Sequence, residues 1–167
     1  EDAPAGPFQP QKLGHVVLGT KDINASVKFA TDVLGFRVSD WLGPIMCFTR
    51  CNDDHHALTF LDNGLHNLQH IGFETGSIED IKRFADNASK HDVPLIWGPG
   101  RHGPGNNLFS YVKDPDGNIV EIFAELLRIP DDEKWQAQVW DLAPRSADYW
   151  GSSIPGDAFM LGPGWSL

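Results

Sequence analysis

Two successive stretches of the chain repeat one order of apolar and polar positions. Each begins with an apolar strand, LGHVVLGT at 13–20 and LQHIGFET at 68–75. Apolar residues at helical spacing follow each strand, and three shorter segments of strand character follow each helix. The pattern therefore predicts a βαβββ module twice, over residues 13–66 and 67–126.

Residues that start and stop elements support this division. Asp22 stands where it can cap the first helix, and Gly35 stands just past its last turn. The sequence DPDGN at 114–118 is typical of a turn and joins the last two strands of the second module. Because antiparallel strands follow each helix, each sheet should carry a helix on one face and meet its twin with the other. We therefore expect an α+β fold in which the two modules form a half-open barrel around a central cleft.

The segments on either side of residues 13–126 have a different composition. Residues 1–12 are polar and Pro-rich, which predicts a linker or flexible arm. Residues 127–167 are rich in Trp, Pro, Gly and Asp, which predicts an irregular C-terminal extension that packs on the domain or on an oligomer partner. Within this extension we expect one short helix around 131–140.

Composition narrows the classes of partner and location. The 167 residues carry 13 basic and 23 acidic side chains, a formal net charge of −10, which argues against nucleic acid or an anionic membrane surface as partner. No apolar run approaches the roughly 18–20 residues that span a bilayer, and the first residues lack the apolar core of a signal peptide. The two cysteines, Cys47 and Cys51, indicate reduced thiols rather than a disulfide framework, so we expect a cytoplasmic location.

Three polar residues lie in segments that should otherwise be core. His15 and His70 hold equivalent positions in the first strands of the two modules, and Glu121 interrupts the apolar run of the last strand. If the modules pack about a pseudo-twofold axis, the two histidines should face each other across the cleft. By strand alternation Glu121 shares the cleft face, whereas Val120 and Ile122 face the helix.

The carboxylate of Glu121 needs a partner, because a buried unpaired charge costs on the order of several kcal/mol. One metal ion would satisfy all three residues, since two imidazoles and one carboxylate form the facial triad that suits non-haem Fe(II) and leaves coordination positions open. The alternative is that each residue is hydrogen-bonded separately, which is common for a single buried histidine. That alternative is weaker for three residues at related positions of a repeat, so the barrel is predicted to enclose a metal site.

Further residues near the triad resemble the motifs of a known family. The stretch YVKDPDGNIVEIF carries Tyr111 ten residues before Glu121, His102 lies nineteen residues before it, and HHALTF contains His55 and His56. Together with the repeat and the triad, these motifs resemble the vicinal oxygen chelate superfamily. Within it the chain is similar to the catalytic domain of type I extradiol ring-cleavage dioxygenases. The resemblance covers both modules and extends to ADYWGSSIP in the C-terminal extension.

The resemblance implies an activity and its cofactor. Fe(II), with Mn(II) as the alternative, would be held by His15, His70 and Glu121, and O₂ would be the co-substrate that opens a small aromatic diol next to its two hydroxyls. Members of the family usually assemble, so a homo-oligomer is expected. The well-known members carry a second, non-catalytic domain ahead of this one. Residues 1–12 are therefore either the remains of an interdomain linker or the start of a short single-domain member.

The resemblance also implies roles for the remaining polar residues. HHALTF matches the segment that carries the acid–base histidine, which the alignment places at His56. His55 is the competitor, because a one-residue slip would exchange their faces, and it is expected to contact substrate. His102 and Tyr111 would donate hydrogen bonds to a substrate oxygen, where charge develops in the reaction.

Two other kinds of function fit the same fold. A glyoxalase-like isomerase, an epimerase or an antibiotic-modifying transferase would use a divalent metal in this cleft. The common isomerase arrangement, however, adds a carboxylate ligand on the last strand of the first module, where HHALTFL contains no acid. A non-catalytic drug-binding module would not need two histidines and a glutamate. The sequence therefore favours ring cleavage and leaves open the preferred diol and the choice between Fe(II) and Mn(II).

Overall fold

The structure, a computed structural model, describes residues 8–152 and 159–160. Its helices and strands follow the predicted order. In chain order they are β1 (Lys12–Thr20), α1 (Ile23–Asp32), β2 (Arg37–Leu42), β3 (Met46–Arg50), β4 (Leu58–Asp62), β5 (Asn67–Glu74), α2 (Ile78–Lys90), β6 (Trp97–Arg101), β7 (Leu108–Lys113), β8 (Ile119–Ala124), β9 (Gln138–Trp140) and α3 (Pro144–Ala147).

The nine strands of the described chain join one sheet in the order β6-β7-β8-β5-β1-β4-β3-β2-β9. At its middle β1 and β5 pair antiparallel, and each also pairs in parallel with the last strand of its own module, β4 or β8. The two modules are therefore joined side by side, which confirms the predicted α+β fold with tandem βαβββ modules. Side chains from both halves line one cavity, so the sheet bends around it as a half-open barrel requires.

The local signals for helix and turn behave as predicted. The carboxylate of Asp22 accepts a hydrogen bond from the backbone N–H of Ala25 and caps α1. Gly35, just past the end of α1, has a positive φ of 74°, a conformation that glycine adopts without a steric penalty. Gly117 likewise takes a positive φ, 85°, in the turn between β7 and β8.

Each helix covers the outer face of its own half of the sheet. α1 packs through Ile23 and Ala30 on the first half, and α2 packs through Ile81 on the second half, where it meets Ile122 of β8. Fully burying a large aliphatic side chain contributes about 1.5–3 kcal/mol. Because Ile122 faces the helix, its neighbour Glu121 faces the inside of the curved sheet, which confirms the predicted alternation along this strand.

The C-terminal extension packs on both modules and adds a strand to the first. Its strand β9 pairs in parallel with β2, and the indole N–H groups of Trp135 and Trp140 donate to the backbone carbonyl of Ser39 and the carboxylate of Asp40. The predicted helix around 131–140 is wrong. The free edge of β2 offers backbone hydrogen bonds that part of this segment takes as a strand, a tertiary contact that overrides local preference. The short helix, α3, begins later.

The two ends of the chain are described only in part. Phe8 of the predicted arm packs against Phe84 of α2, with ring centroids 5.3 Å apart. Residues 1–7 lie outside the described residues, as do 153–158 and 161–167 of the extension. Both cysteines are free. In the described part of the chain, no helix combines the length and the apolar character that crossing a bilayer requires.

Candidate metal centre

The side chains of His15, His70 and Glu121 converge on the inner face of the sheet. The Nε2 atoms of the two histidines lie 3.3 Å apart, and the Oε2 atom of Glu121 lies 2.8 Å from that of His15 and 3.2 Å from that of His70. All three residues are buried, and each offers a ligand atom within 4.8 Å of the others. The histidines lie on adjacent strands rather than across the cleft, because β1 and β5 pair directly and Val17 is the cross-strand partner of His70.

Hydrogen bonds behind His70 determine which of its nitrogens carries the proton. The amide of Gln69 donates through Nε2 to the backbone carbonyl of Phe159 at 2.6 Å, so its Oε1 faces Nδ1 of His70. An amide oxygen only accepts, so Nδ1 carries the proton and Nε2 presents a lone pair. Burial lowers the pKa of His70, which favours the neutral ring. Lone pairs on Nε2 of His70 and on Oε2 of Glu121 therefore face each other without a proton between them. A cation bound by both atoms would remove this repulsion.

The carboxylate of Glu121 is held in its ionised form. Burial by itself raises the pKa of a carboxyl group, but the interaction with the neighbouring imidazoles, His15 foremost, outweighs it and holds the pKa of Glu121 well below its usual value. Asn107 donates through Nδ2 to the other oxygen, Oε1, at 3.1 Å. One oxygen is thus oriented by an amide while the other faces both imidazoles. This donor set fits a divalent metal with two nitrogen ligands and one oxygen ligand.

A glycine makes room for the first imidazole. Gly72 on β5 is the cross-strand partner of His15, and a Cβ atom at this position would lie 2.3 Å from Cε1 of the ring. In the first module the equivalent position is Val17. The ring of His15 therefore occupies space that any larger residue at position 72 would fill.

His56 lies beside the triad and lines the cavity, whereas His55 lies behind it. The ring centroids of His15 and His56 are 4.6 Å apart, and Nδ1 of His56 lies 3.0 Å from Nδ1 of His55. His55 is fully buried, and its Nε2 lies 3.1 Å from Oδ2 of Asp40. Contrary to the prediction that His55 contacts substrate, its side chain is turned away and does not line the cavity.

The hydrogen-bonded series Asp40–His55–His56 determines where the protons lie. The carboxylate of Asp40 accepts from the backbone N–H of Gln138 at 2.8 Å and from the indole of Trp140 at 2.9 Å. As an acceptor it places the proton of a neutral His55 on Nε2, so the Nδ1 of that ring accepts from Nδ1 of His56. Burial and the neighbouring histidines lower the pKa of His56 well below its usual value. The neutral ring thus keeps a lone pair on Nε2, the nitrogen available to take a proton.

Tyr111 and His102 form a second polar pair in the cavity wall. Nδ1 of His102 lies 2.6 Å from the backbone carbonyl of Ala147, so it donates there, and Nε2 accepts from the hydroxyl of Tyr111 at 3.0 Å. Burial lowers the pKa of His102, and burial together with the charge of Glu121 raises the pKa of Tyr111 well above its usual value. Of the two predicted donors, Tyr111 is the one that carries a proton to give, while a neutral His102 orients its hydroxyl.

A cavity of about 110 Å³ opens between these polar groups and an apolar wall. Trp97 stacks on Tyr111 with centroids 5.2 Å apart, and Phe159 meets Tyr111 edge-on at 4.9 Å. The other apolar lining residues include Val17, Leu42, Met46, Phe48 and Leu61. The described wall opposite the polar groups is therefore mostly apolar, which suits an aromatic ligand.

The residues that sequence reasoning missed are those that orient the metal-facing side chains. Gln69 directly precedes His70, Asn107 opens β7, and nothing in their local pattern separates them from ordinary polar residues. Asp40 acquires its role through Trp140, which lies 100 positions away in the chain. A glycine at position 72 inside a strand was the one available signal, since glycine there often marks the close approach of another group.

Comparison with known proteins places the chain in a family. Residues 12–122 match the family described as Glyoxalase/Bleomycin resistance protein/Dioxygenase superfamily. This region is more than half of the chain, and the chain belongs to this superfamily, as the sequence motifs predicted. The fold and the metal-facing triad described above lie almost wholly within the matched residues.

Within this superfamily the chain is similar to several named proteins. The chain is 32% identical over 149 residues to metapyrocatechase 2 of Cupriavidus necator, covering 87% of this chain and 46% of the relative. It is 33% identical over 147 residues to an iron-dependent extradiol dioxygenase of Rhodococcus jostii, covering 77% of this chain and 47% of the relative. The crystal structure of the Mn(II)-bound glyoxalase from Novosphingobium aromaticivorans superimposes with a TM-score of 0.87 at 39% identity, over 98% of this chain and 55% of that one. The chain thus spans about half the length of these relatives.

Proposed function

We propose that this chain is the metal-bearing unit of an extradiol dioxygenase, which cleaves a small aromatic diol next to its hydroxyls with O₂. The observation that carries the proposal is the convergence of His15, His70 and Glu121 beside a cavity that also presents His56. The relatives named metapyrocatechase 2 and iron-dependent extradiol dioxygenase support it. Because the chain spans about half of each, the activity of the whole protein is itself part of the proposal.

Fe(II) is the favoured metal, with Mn(II) as the alternative. Two imidazole nitrogens and one carboxylate oxygen accept either ion. One relative is named as iron-dependent, and one structural neighbour is bound to Mn(II). When bound, the ion would lower the pKa of a diol hydroxyl and would hold the diol and O₂ close to each other. The protein's part is to offer three ligands, His15, His70 and Glu121, and to leave the remaining positions free.

His56 is the residue proposed to receive a proton from the diol and to return it later. Its Nε2 carries a lone pair in the cavity because Asp40 and His55 fix its tautomer from behind. A positioned acid–base group of this kind contributes about 10²–10⁴-fold to a rate. His55, which the sequence left as a competitor, is proposed as the residue that positions His56.

Tyr111 is proposed to donate a hydrogen bond to a substrate oxygen on which charge develops. Its raised pKa keeps the phenol protonated at neutral pH, and burial makes a donor there stronger than one in water. His102 accepts from the same hydroxyl and holds it in place until substrate competes for the proton. The apolar wall excludes water from this region of the cavity.

One experiment tests the proposal directly. The chain is purified without air, its bound iron and manganese are measured, and O₂ uptake is followed with a panel of catechols while a yellow ring-cleavage product is monitored. We expect about one metal ion per chain together with O₂ uptake and colour. If the chain binds metal but takes up no O₂ with any catechol, ring cleavage is contradicted. If it binds no metal, His15, His70 and Glu121 are not a ligand set.

A glyoxalase-like isomerase is the second candidate, because the neighbour with 39% identity is named a glyoxalase. The residue Thr59 argues against this candidate. Thr59 pairs with Val17 in the first module as Glu121 pairs with Gly72 in the second, so the two residues hold equivalent positions. The position where an isomerase would add a carboxylate ligand therefore holds a hydroxyl. Incubation of the metal-loaded protein with the adduct of a thiol and a 2-oxoaldehyde would reveal this activity, and we expect none.

The domain boundaries, the oligomeric state and the cellular location are predictions from the sequence that separate experiments can test. The boundaries of the domain at 13–126 and of the extension at 127–167 can be tested by limited proteolysis. A homo-oligomer can be tested by light scattering of the purified chain. The cytoplasmic location expected from the sequence can be tested by cell fractionation.

A further inference from the structure

The cavity has no basic side chain from the Lys and Arg residues of the chain. All 13 of these residues lie in the described part, since the segments 1–7, 153–158 and 161–167 contain neither type. None of the 13 lines the cavity.

The basic residues that come next to the cavity in sequence are directed elsewhere. Arg101 precedes His102, but its guanidinium donates to the backbone carbonyl of Asn106 at 2.7 Å and to the carboxylate of Glu125 at 2.6 Å. Arg145 precedes Ser146 of the cavity wall and is itself exposed. The site therefore has no fixed cation beyond the metal that the triad would hold.

Few neutral donors are available to replace such a cation. The Nε2 group of Gln69 donates to the carbonyl of Phe159, and the hydroxyl of Tyr111, which lies against His102, is already assigned to a diol oxygen. Among the described lining residues, the hydroxyl of Ser146 and the indole of Trp97 are also neutral donor groups, and neither carries the charge that would offset the desolvation of a carboxylate. The rest of the wall away from the triad is aliphatic, thioether or aromatic.

The charges within the site also disfavour a substrate that carries a second negative charge. A divalent metal with the Glu121 carboxylate leaves one positive charge, which a singly ionised diol neutralises. A second negative charge on the substrate would then be buried without a partner, in a protein whose net charge is already −10.

We propose that the cavity takes uncharged diols that carry an apolar alkyl or aryl substituent and discriminates against diols that carry a carboxylate. The inference rests on the proposed function, since it names the substrate class of the same site. It assigns the discrimination to the apolar wall around Met46, Leu61 and Trp97 and to the absence of a fixed cation there.

A matched pair of ligands tests this selectivity by binding, independently of turnover. 4-Ethylcatechol and 3,4-dihydroxyphenylacetate differ at one position. The side chain ends in a methyl group in the first ligand and in a carboxylate in the second. Their dissociation constants are measured by calorimetry with the full chain loaded with Mn(II) in the absence of O₂. We expect 4-ethylcatechol to bind at least about 100-fold more tightly. Affinities within about threefold of each other, or tighter binding of the acid, would overturn the inference.

A cavity variant makes the same test from the protein side. Met46 is half-buried at the start of β3 and lines the cavity, so a lysine there can reach the site while its stem keeps the apolar contact. Met46→Lys should shift the ratio of the two affinities toward the acid by about tenfold or more. Met46→Gln has a similar length and no charge, and should leave the ratio near that of the unaltered chain. Equal shifts in both variants would contradict the electrostatic explanation.

The outcomes separate the two proposals. Binding of both ligands with equal affinity, followed by cleavage of both in air, would leave ring cleavage standing and remove the selectivity. Selective binding of 4-ethylcatechol without cleavage of any catechol would support the selectivity and contradict the dioxygenase activity. Binding of neither ligand to the metal-loaded chain would overturn both.

Discussion

The two βαβββ modules place different side chains at equivalent positions of one sheet. His15 and His70 correspond to each other, but Thr59 stands in the first module where Glu121 stands in the second. The hydroxyl oxygen of Thr59 is buried and, within the described part of the chain, has no hydrogen-bond partner. The repeat therefore provides four related positions, and three of them hold side chains that could bind one metal ion.

The modules also differ in what surrounds these positions. The first contributes His56, held from behind by His55 and Asp40, as the proposed acid–base group. The second contributes Tyr111 and His102 as the hydrogen-bonding pair. A duplicated scaffold thus supplies a symmetric framework, while the chemistry depends on departures from that symmetry.

Loss of the unique carboxylate should be the most damaging change. Glu121→Ala removes one of three ligands, and we expect metal affinity to fall by more than the roughly 10–100-fold that loss of an outer-shell partner costs. Metal analysis after dialysis measures the loss. Thr59→Ala at the equivalent position of the first module is the matched control and should keep its metal. Equal metal loss in both variants would contradict the asymmetry between the modules.

Removal of the proposed acid–base group should spare the metal and slow the reaction. His56 lines the cavity but is not part of the triad, so His56→Ala should keep about one metal ion per chain and lose about 10²–10⁴-fold in kcat. Metal content and single-turnover rates of ring cleavage check the two halves of this expectation. A variant that retained the unaltered rate would show that another group moves the proton.

Addition of a carboxylate to the first module should restore the symmetry and harm the activity. Thr59→Glu places an acid where the repeat allows a fourth ligand, so we expect the metal to be kept while one open position is lost. The rate of ring cleavage should fall by about 10²-fold, the scale of losing one catalytic group. Thr59→Gln has the same size without the charge and should have a smaller effect. Unchanged activity of Thr59→Glu would show that this side chain does not reach the metal.

The tautomer of His56 should depend on Asp40, which touches neither metal nor cavity ligand. In Asp40→Asn the amide can donate to Nε2 of His55, whose Nδ1 then carries the proton, so the proton of His56 moves to Nε2. We expect kcat to fall by about 10²-fold with metal content and KM little changed. Nitrogen NMR of the histidine rings reports the tautomer. Trp140→Phe, which removes one donor to the carboxylate and keeps its charge, should have a smaller effect on kcat.

The triad was predictable from sequence because it conflicts with its surroundings. His15, His70 and Glu121 each interrupt an apolar strand, and such local conflicts are expected at functional sites. The alternation of Val120, Glu121 and Ile122 also fixed the face of the sheet on which the carboxylate lies. Strand periodicity and the repeat were therefore sufficient to predict the fold and the convergence of these three side chains.

The supporting residues were not predictable for the opposite reason. Asp40 acts through Trp140, and that contact exists only because β9 adds to the free edge of β2, where sequence alone had suggested a helix. The choice between His55 and His56 needed the register of a segment outside regular strands, because adjacent residues point in opposite directions. Such long-range pairings leave no periodic signal in the chain.

Loss of the Tyr111 hydroxyl should give the smallest effect. Tyr111→Phe keeps the stacking on Trp97 and removes one donor, so we expect kcat to fall by about tenfold, the scale of one hydrogen bond, with metal content unchanged. Because burial and Glu121 raise the pKa of Tyr111, the phenol stays protonated through neutral pH, and the ratio of the two rates should be constant from about pH 6 to about pH 9. A ratio that falls toward one within this range would show that the phenol ionises there. In that case Tyr111 would not be a standing donor, and the second module would contribute only its two ligands to the asymmetry between the halves.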